Sequence, residues 1–375
     1  MRVLFTIPNF DTAGSGKALL NIAKGLDKAR FEPHIMCMHD RGPFFQVVKA
    51  SGIPVHIYKY TSEMKPYLNG IKNCWKVSRE FKRIAPDIIH SFHYSADYSE
   101  VLAAKIAGIK WVYTKKNMNW GGDSANAWKL RTLLANGIAV QNSDMIHDFF
   151  PKIKKTFFIP RGVNIKEFEY EKGLSDLRSK YGIYPDEKII ITVANLVPVK
   201  GVEVLISAFS QLVQKVNNWR LLIVGDDQNE YADRLKALCI ELNLYHKVIF
   251  SGKVSDVKSH LQMSEIFVLP TLDQGRKEGS PVSLLEAMSN GRCVLGSKVP
   301  GIKDQLKEFP ESMFEPGNTN DLLLKLEKLV NLSKKELTDK GDVFFEHVHK
   351  NYSLTKELSK HEKMYRTLVK EIYNG

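Results

Sequence analysis

Apolar positions in this chain recur with two periods, and the changes between them mark out its elements. Val3, Leu4 and Phe5 form a short apolar run within Met1–Pro8 and predict a buried strand. A Gly-rich stretch at 12–16 follows, and then Ala18, Leu19, Ile22, Ala23 and Leu26 recur at helical spacing. Strands at 33–38, 55–58, 87–90 and 111–114, with helices near 44–50 and 71–83, continue the alternation. Strands alternating with helices predict a parallel sheet covered by helices on both faces.

The same pattern restarts at Ile189–Val193. Val202, Leu205, Ile206, Phe209, Leu212 and Val213 form the next helical face, and strands follow at 221–224, 248–250 and 266–269. Ser280 and Pro281 read as a helix start, Val282, Leu285, Ala287 and Met288 as its apolar face, and Gly291 as its end. Cys293–Leu295 is a short buried strand leading to a turn at Pro300–Gly301. Helices run on to 334, and an amphipathic helix closes the chain from about 354 to 373. Residues 169–187, charged and carrying Gly173, Gly182 and Pro185, read as the linker between two α/β domains.

A length of 375 residues suits two domains better than one core. No apolar run approaches the roughly 18–20 residues that span a bilayer, and the polar turn soon after Phe5 argues against a signal peptide. Cys37, Cys74, Cys239 and Cys293 are scattered, which argues against a zinc site and a disulfide framework and suits the cytoplasm. Charge changes the picture more. Residues 1–168 hold 25 Lys/Arg against 13 Asp/Glu and so carry the whole net charge of +12. Within that half, Lys72, Lys76, Arg79, Lys82 and Arg83 share one helix with Ile71, Trp75, Val77 and Phe81. This is either a solvated helix face over buried aromatics or a peripheral anchor on an anionic membrane surface, with Lys72, Lys76, Arg79 and Arg83 as the contacts. Nucleic-acid binding is disfavoured, because the aromatics fall mostly at core positions and do not interleave with the basic residues.

Candidate chemistry gathers at strand-to-helix turns. Gly14 and Gly16 follow the first strand in a phosphate-cradling arrangement. It is neither a Walker A loop, since Asp11 stands where that motif needs Gly, nor G-x-G-x-x-G, since Leu19 holds the third position. His90 and His93 lie at or just past the end of the fourth strand, where ligands of such sheets bind. Lys200 stands at the first turn of the second half, a point charge suited to phosphate. Around the helix start at 280–281, Glu278 and Glu286 place two carboxylates eight residues apart, both able to accept hydrogen bonds from sugar hydroxyls.

The string Glu278-x7-Glu286 followed by Ala287-Met288-x-x-Gly291 and a short strand resembles the donor-site signature of retaining glycosyltransferase family 4. The resemblance extends over nearly the whole chain. It implies the GT-B fold, α/β, with two Rossmann-like domains whose parallel sheets face each other across a cleft. The expected divisions are an acceptor-side domain at 1–168, a nucleotide-sugar domain at 169–353, and a helix at 354–375 crossing back to the first domain. The implied reaction moves a sugar with retention from a UDP- or GDP-sugar to a glycan or lipid-linked acceptor, in cell-surface polysaccharide biosynthesis. No cofactor and no metal are implied. Carried over residue by residue, Lys200 and the backbone at Gly279–Ser280 stabilise the diphosphate, Glu286 holds the ribose, and Glu278 holds the transferred sugar. His93, Gly14 and Gly16 line the donor from the other side, His90 being the alternative match for His93, and Gly252 lies near the base. Two departures stand out. Asn195 occupies the place of the family's usual Arg and removes one cation from the phosphate clamp, unless Arg276, Lys277 or a residue of the first domain replaces it. Lys115-Lys116-Asn117 stands where Thr-x-His is common. A GT-B nucleotide-sugar epimerase and a catalytically inactive scaffold are the alternatives.

Overall fold

The computed structural model describes residues 1–11, 13–120, 124–168, 174–275, 277 and 279–370. The chain divides into two compact units, 1–160 with 355–375, and 161–354.

In the first unit the strands are β1 (Arg2–Thr6), β2 (Glu32–Cys37), β3 (Val55–Ile57), β4 (Ile88–Ser91), β5 (Lys110–Lys115), β6 (Gly137–Val140) and β7 (Thr156–Phe158). Between them run helices α1 (Ala13–Gly25), α2 (Phe45–Lys49), α3 (Tyr67–Ile84), α4 (Ser99–Ala107), α5 (Ala125–Leu134) and α6 (Ser143–Phe149). The sheet order is β3-β2-β1-β4-β5-β6-β7, with every pairing parallel. Successive side chains of a strand point to opposite faces. Val3 and Phe5 accordingly join one core layer and Leu4 the other, and Ile88 and Ile89 divide the same way. Both faces are thus buried, as parallel sheets require.

The second unit holds α7 (Leu174–Lys180), β8 (Lys188–Val193), α8 (Val202–Leu212), β9 (Trp219–Val224), α9 (Glu230–Glu241), β10 (Val248–Gly252), α10 (Val257–Gln262) and β11 (Ile266–Leu269). It continues with α11 (Val282–Ser289), β12 (Cys293–Ser297), α12 (Ile302–Gln305), β13 (Met313–Phe314), α13 (Thr319–Val330) and α14 (Lys334–Asn351). Its sheet runs β10-β9-β8-β11-β12-β13, again wholly parallel. Ile190 faces one core layer and Ile189 and Ile191 the other.

Three boundaries differ from the sequence reading. Residues 161–168 group with the second unit and not the first, because Val163 bridges Ser353: its N–H donates to Tyr352 O at 2.9 Å and its carbonyl accepts from Leu354 N at 2.8 Å. Within the stretch read as linker, α7 is ordered by Arg178, which donates to the carbonyls of Met263, Tyr184 and Glu187. The Gly-rich segment is no open turn, since α1 begins at Ala13 and places Gly14 and Gly16 in its first turn. From residue 355 the last helix, α15 (Leu354–Lys370), joins the first unit and buries Met364, Tyr365, Leu368 and Val369 in its core.

Candidate functional site

Each sheet reverses its direction of winding once. In the second unit this happens between β8 and β11, so the loops leaving these neighbouring strands diverge and leave a crevice at their C-terminal ends. Lys200 sits on the loop after β8, in a single 3-10 turn at Pro198–Lys200, and only 6% of it is exposed. The turn closes on Gly201 at φ +61°, where an added Cβ would lie 2.3 Å from the Pro270 carbonyl oxygen, so only glycine lets the two loops approach. A hydrogen bond from Leu272 N to Val199 O at 2.8 Å ties the loop after β11 to the loop carrying Lys200. Asn195, on the same loop, is exposed.

Beyond Leu272 the chain reaches Gly279 and Ser280, both buried, and enters α11. Ser280 does not cap α11 as its sequence position suggested; the cap residue is Pro281, with no side-chain bond. Instead, the Ser280 hydroxyl accepts from Arg161 N at 3.3 Å and from Gln305 Nε2 at 3.0 Å, while Gln305 also donates to Pro281 O at 3.1 Å. These bonds fix the backbone path at the helix entrance. Glu286 lies four residues into α11, about 6 Å along its axis, half-buried beside the packed Leu285 and Ala287. Gly252 ends β10, two strands from β8 at the sheet edge. Glu278 and Arg276 lie outside the described residues. Lys277 forms an ion pair with Asp273 within the loop, so its charge is already matched.

In the first unit the reversal falls between β1 and β4. The loop after β1 feeds Gly14, Ser15 and Gly16 in α1; the loop after β4 carries Phe92 and His93. Just past β5, the next strand, Lys116 donates to Phe92 O at 2.5 Å and to Ser15 Oγ at 3.3 Å, joining the two loops. The structure separates the two histidines. His90 is fully buried with both ring nitrogens engaged, Nδ1 to Tyr365 Oη at 2.6 Å and Nε2 to Thr114 Oγ1 at 2.8 Å, so it anchors α15. His93 keeps a buried Nδ1 with no hydrogen-bond partner among the described residues. Burial, and then the nearby Arg131 and Lys116 charges, push its pKa down to about 3, leaving a neutral imidazole that can exchange hydrogen bonds with a ligand.

Sequence reasoning missed what holds His93. Arg131, fully buried, donates to the carbonyls of His93 at 2.8 Å and of Ser95 and Asp97 at 3.0 Å, and its guanidinium lies 5.0 Å from the Trp111 ring centroid. Glu100, also buried, accepts from Thr6 Oγ1 and Ser91 Oγ at 2.5 and 2.7 Å; burial outweighs these bonds and raises its pKa. Lys115 is buried as well, donating to the carbonyls of Asn117 and Asn119 amid the rings of Phe149, Trp120 and Tyr94. The two lysines replacing Thr-x-His therefore have separate surroundings: Lys115 holds its own loop, and Lys116 faces the α1 entrance.

Comparison with known proteins identifies the family of the chain as a whole. Residues 12–167 match the model described as Glycosyltransferase Family 4, and residues 175–340 match the model described as Glycosyl transferases group 1. This chain belongs to glycosyltransferase family 4. It is 29% identical over 209 residues to the N-acetyl-alpha-D-glucosaminyl L-malate synthase of Bacillus anthracis, a match covering 55% of this chain and 52% of that relative. This chain thus spans about half the length of that relative. It is 26% identical over 349 residues to the N,N'-diacetylbacillosaminyl-diphospho-undecaprenol alpha-1,3-N-acetylgalactosaminyltransferase of Campylobacter jejuni, covering 85% of this chain and 89% of that one. Among solved structures, the Anabaena protein HepE in complex with UDP superposes with a TM-score of 0.82 at 18% identity, covering 98% of this chain and 100% of HepE. The fold of this family 4 member is GT-B, two α/β units each built on a parallel sheet.

Proposed function

We propose that this chain transfers a sugar, with retention of anomeric configuration, from a nucleotide-diphosphate sugar to a glycan or lipid-linked acceptor in the building of a cell-surface polysaccharide. The observation that carries the reading is Lys200. It is a nearly buried cation at the β8/β11 crevice, on a loop tied by Leu272 N–Val199 O to the loop that leads through the buried Gly279 and Ser280 into α11. A departing nucleoside diphosphate gains negative charge as the glycosidic bond breaks, and pre-placed positive charge and backbone N–H groups stabilise that change more than they stabilise the ground state. Support for a nucleotide donor comes from HepE, solved with UDP, and for a lipid-linked acceptor from the name of the Campylobacter relative.

In this reading Lys200 and the Gly279–Ser280 backbone hold the diphosphate, Glu286 accepts the ribose hydroxyls, and Glu278 accepts hydroxyls of the transferred sugar. Gly252 is assigned to the base and Asn195 to a neutral hydrogen bond on the donor. From the first unit, Gly14, Gly16 and His93 are assigned to the same donor, His93 as a neutral hydrogen-bonding group and not as an acid. An acceptor anchored in a bilayer would bring the chain to the inner face of the membrane.

The test is turnover. UDP- and GDP-sugars are offered with soluble glycans and with polyprenyl diphosphate-linked acceptors, and both nucleoside diphosphate release and the anomeric coupling constant of the product are measured. The reading expects acceptor-dependent release and an α-linked product from an α-linked donor. Inversion removes the retaining mechanism, and no release with any donor leaves an inactive scaffold.

A further inference from the structure

Helix α3 is amphipathic in an unusual sense, because it presents apolar side chains on two faces. Cys74, Val77, Phe81 and Ile84 turn inwards and pack in the core. Tyr67, Leu68, Ile71 and Trp75 turn outwards and are 59%, 85%, 51% and 57% exposed. Residues 67, 71 and 75 follow one another at i, i+4 and i+8, so they form a single stripe, with Leu68 alongside. Large apolar side chains gathered in this way on a surface mark an interaction site. The next stripe is cationic: Lys72, Lys76 and Arg79 are all exposed, and the Arg79 guanidinium lies 5.6 Å from the centroid of the Trp75 ring. Lys59 and Lys76 also line a polar recess against the helix, together with Thr61, Ser62, Glu63 and Asn73. Arg83, expected to contribute to this surface, instead pairs with Glu80 through Nη2–Oε1 and Nε–Oε2 contacts of 2.5 and 2.9 Å, so its charge is matched within the helix.

We infer that α3 docks this chain on an anionic lipid bilayer, with Tyr67, Leu68, Ile71 and Trp75 entering the boundary between headgroups and acyl chains and Lys72, Lys76 and Arg79 meeting lipid phosphates. Charge complementarity selects this occupant. A second copy seated on the same stripe would bring Lys72, Lys76 and Arg79 against their like, which is unfavourable. An anionic bilayer instead meets each cation with a phosphate while accepting the apolar stripe below it. The aromatic rings suit the interface, and the long basic side chains can reach headgroups while their stems lie on apolar surface. The excess of positive charge in residues 1–168, 25 Lys/Arg against 13 Asp/Glu, has the sign this orientation needs. The inference rests on the proposed function only in that a lipid-linked acceptor gives a docking face its use; binding itself is independent of catalysis.

The experiment is co-sedimentation of the full chain with vesicles of equal parts phosphatidylglycerol and phosphatidylcholine, alongside vesicles of phosphatidylcholine alone. Binding to the anionic vesicles is expected, with a blue shift of fluorescence that Trp75→Phe removes. The triple variant Leu68→Ser, Ile71→Ser, Trp75→Ser should partition about tenfold less or weaker still, and Lys72→Glu with Lys76→Glu should abolish the preference for anionic lipid. Because these side chains are exposed, the variants should melt with the wild type and keep its rate of transfer to a water-soluble acceptor. Undiminished vesicle binding by the triple variant overturns the inference, as does wild-type protein that ignores vesicles and instead forms dimers through this stripe. If no sugar transfer is found while vesicle binding behaves as expected, the docking face stands and the proposed function fails.

Discussion

Lys200 is where chemistry and local structure meet at the scale of a single residue. Its position was legible because a strand, a short turn and a helix are local features, and the placement of a cation at their junction needs no distant partner. Lys200→Ala should lower kcat/KM by on the order of a hundredfold or more, the scale seen when one stabilising donor is lost from a transition state, without changing the melting temperature by more than a few degrees. Steady-state kinetics and a thermal melt on the same preparation check this. His93 illustrates what was not legible. Two histidines three residues apart look alike in sequence, and only the engagement of both His90 nitrogens by Tyr365 and Thr114 separates them. Arg131 gave no signal at all, since the carbonyls it holds come from His93, Ser95 and Asp97, 34 to 38 residues earlier. The depressed pKa of His93, about 3 in the folded chain, makes a further prediction. A histidine whose folded pKa lies below its unfolded value binds its proton more tightly when unfolded, so the folded state loses stability as pH falls from about 6.5 towards 3. The His93 imidazole should show no titration between pH 5 and 8 by NMR; a midpoint near 6.5 would mean that it faces solvent.

Among the elements, α11 is held by an unusually close neighbour. An added Cβ at Gly341 in α14 would sit 2.0 Å from the carbonyl oxygen of Gly291, just past the end of α11. Gly341→Val should therefore cost about 1–3 kcal/mol or more in stability. Since α11 carries Glu286, it should also weaken nucleotide binding; chemical denaturation together with titration calorimetry measures both effects. Intact stability would show that the two helices can separate at little cost. Helix α3 marks a limit of pattern reading. Periodicity located the helix, but apolar spacing alone does not say which of two apolar faces is covered. Trp75 read as buried under one interpretation, and it is exposed because α3 leans on the core through Cys74, Val77, Phe81 and Ile84 instead. The strands were more readable. Runs such as Ile189–Ile191 are apolar throughout because both faces of a parallel sheet are buried, a signal that amphipathic helices lack.

At the scale of the whole molecule, two doubly wound sheets reverse at β1/β4 and at β8/β11, and the candidate residues gather at those reversals. In the first unit Lys116 joins the loops that carry Gly14, Gly16 and His93, and in the second Lys200 lies on the loop after β8 and Gly279 and Ser280 on the loop after β11. Two units of the same architecture were legible from the restart of the strand–helix pattern at Ile189. The boundary was not, because residues 161–168 are claimed by the Val163 bridge to Ser353 and by the Arg161 N–H bond to Ser280, both distant in sequence. Glu286→Ala belongs to this scale as the test of which unit carries the nucleotide: it should weaken nucleoside diphosphate affinity about tenfold, the loss of one charge-assisted hydrogen-bond pair, and an unchanged affinity in calorimetry would release Glu286 from the ribose.

Thermal stabilisation by UDP, GDP and ADP, on the wild type and on Lys200→Ala in parallel, tests the central claim most directly. A ligand that binds only the folded chain raises its melting temperature by mass action. The account predicts that one nucleotide class raises the wild-type melting temperature in a concentration-dependent way and that Lys200→Ala loses most of the rise. A wild type indifferent to all three nucleotides, or a Lys200→Ala variant stabilised as strongly as the wild type, would contradict a diphosphate site at the β8/β11 reversal.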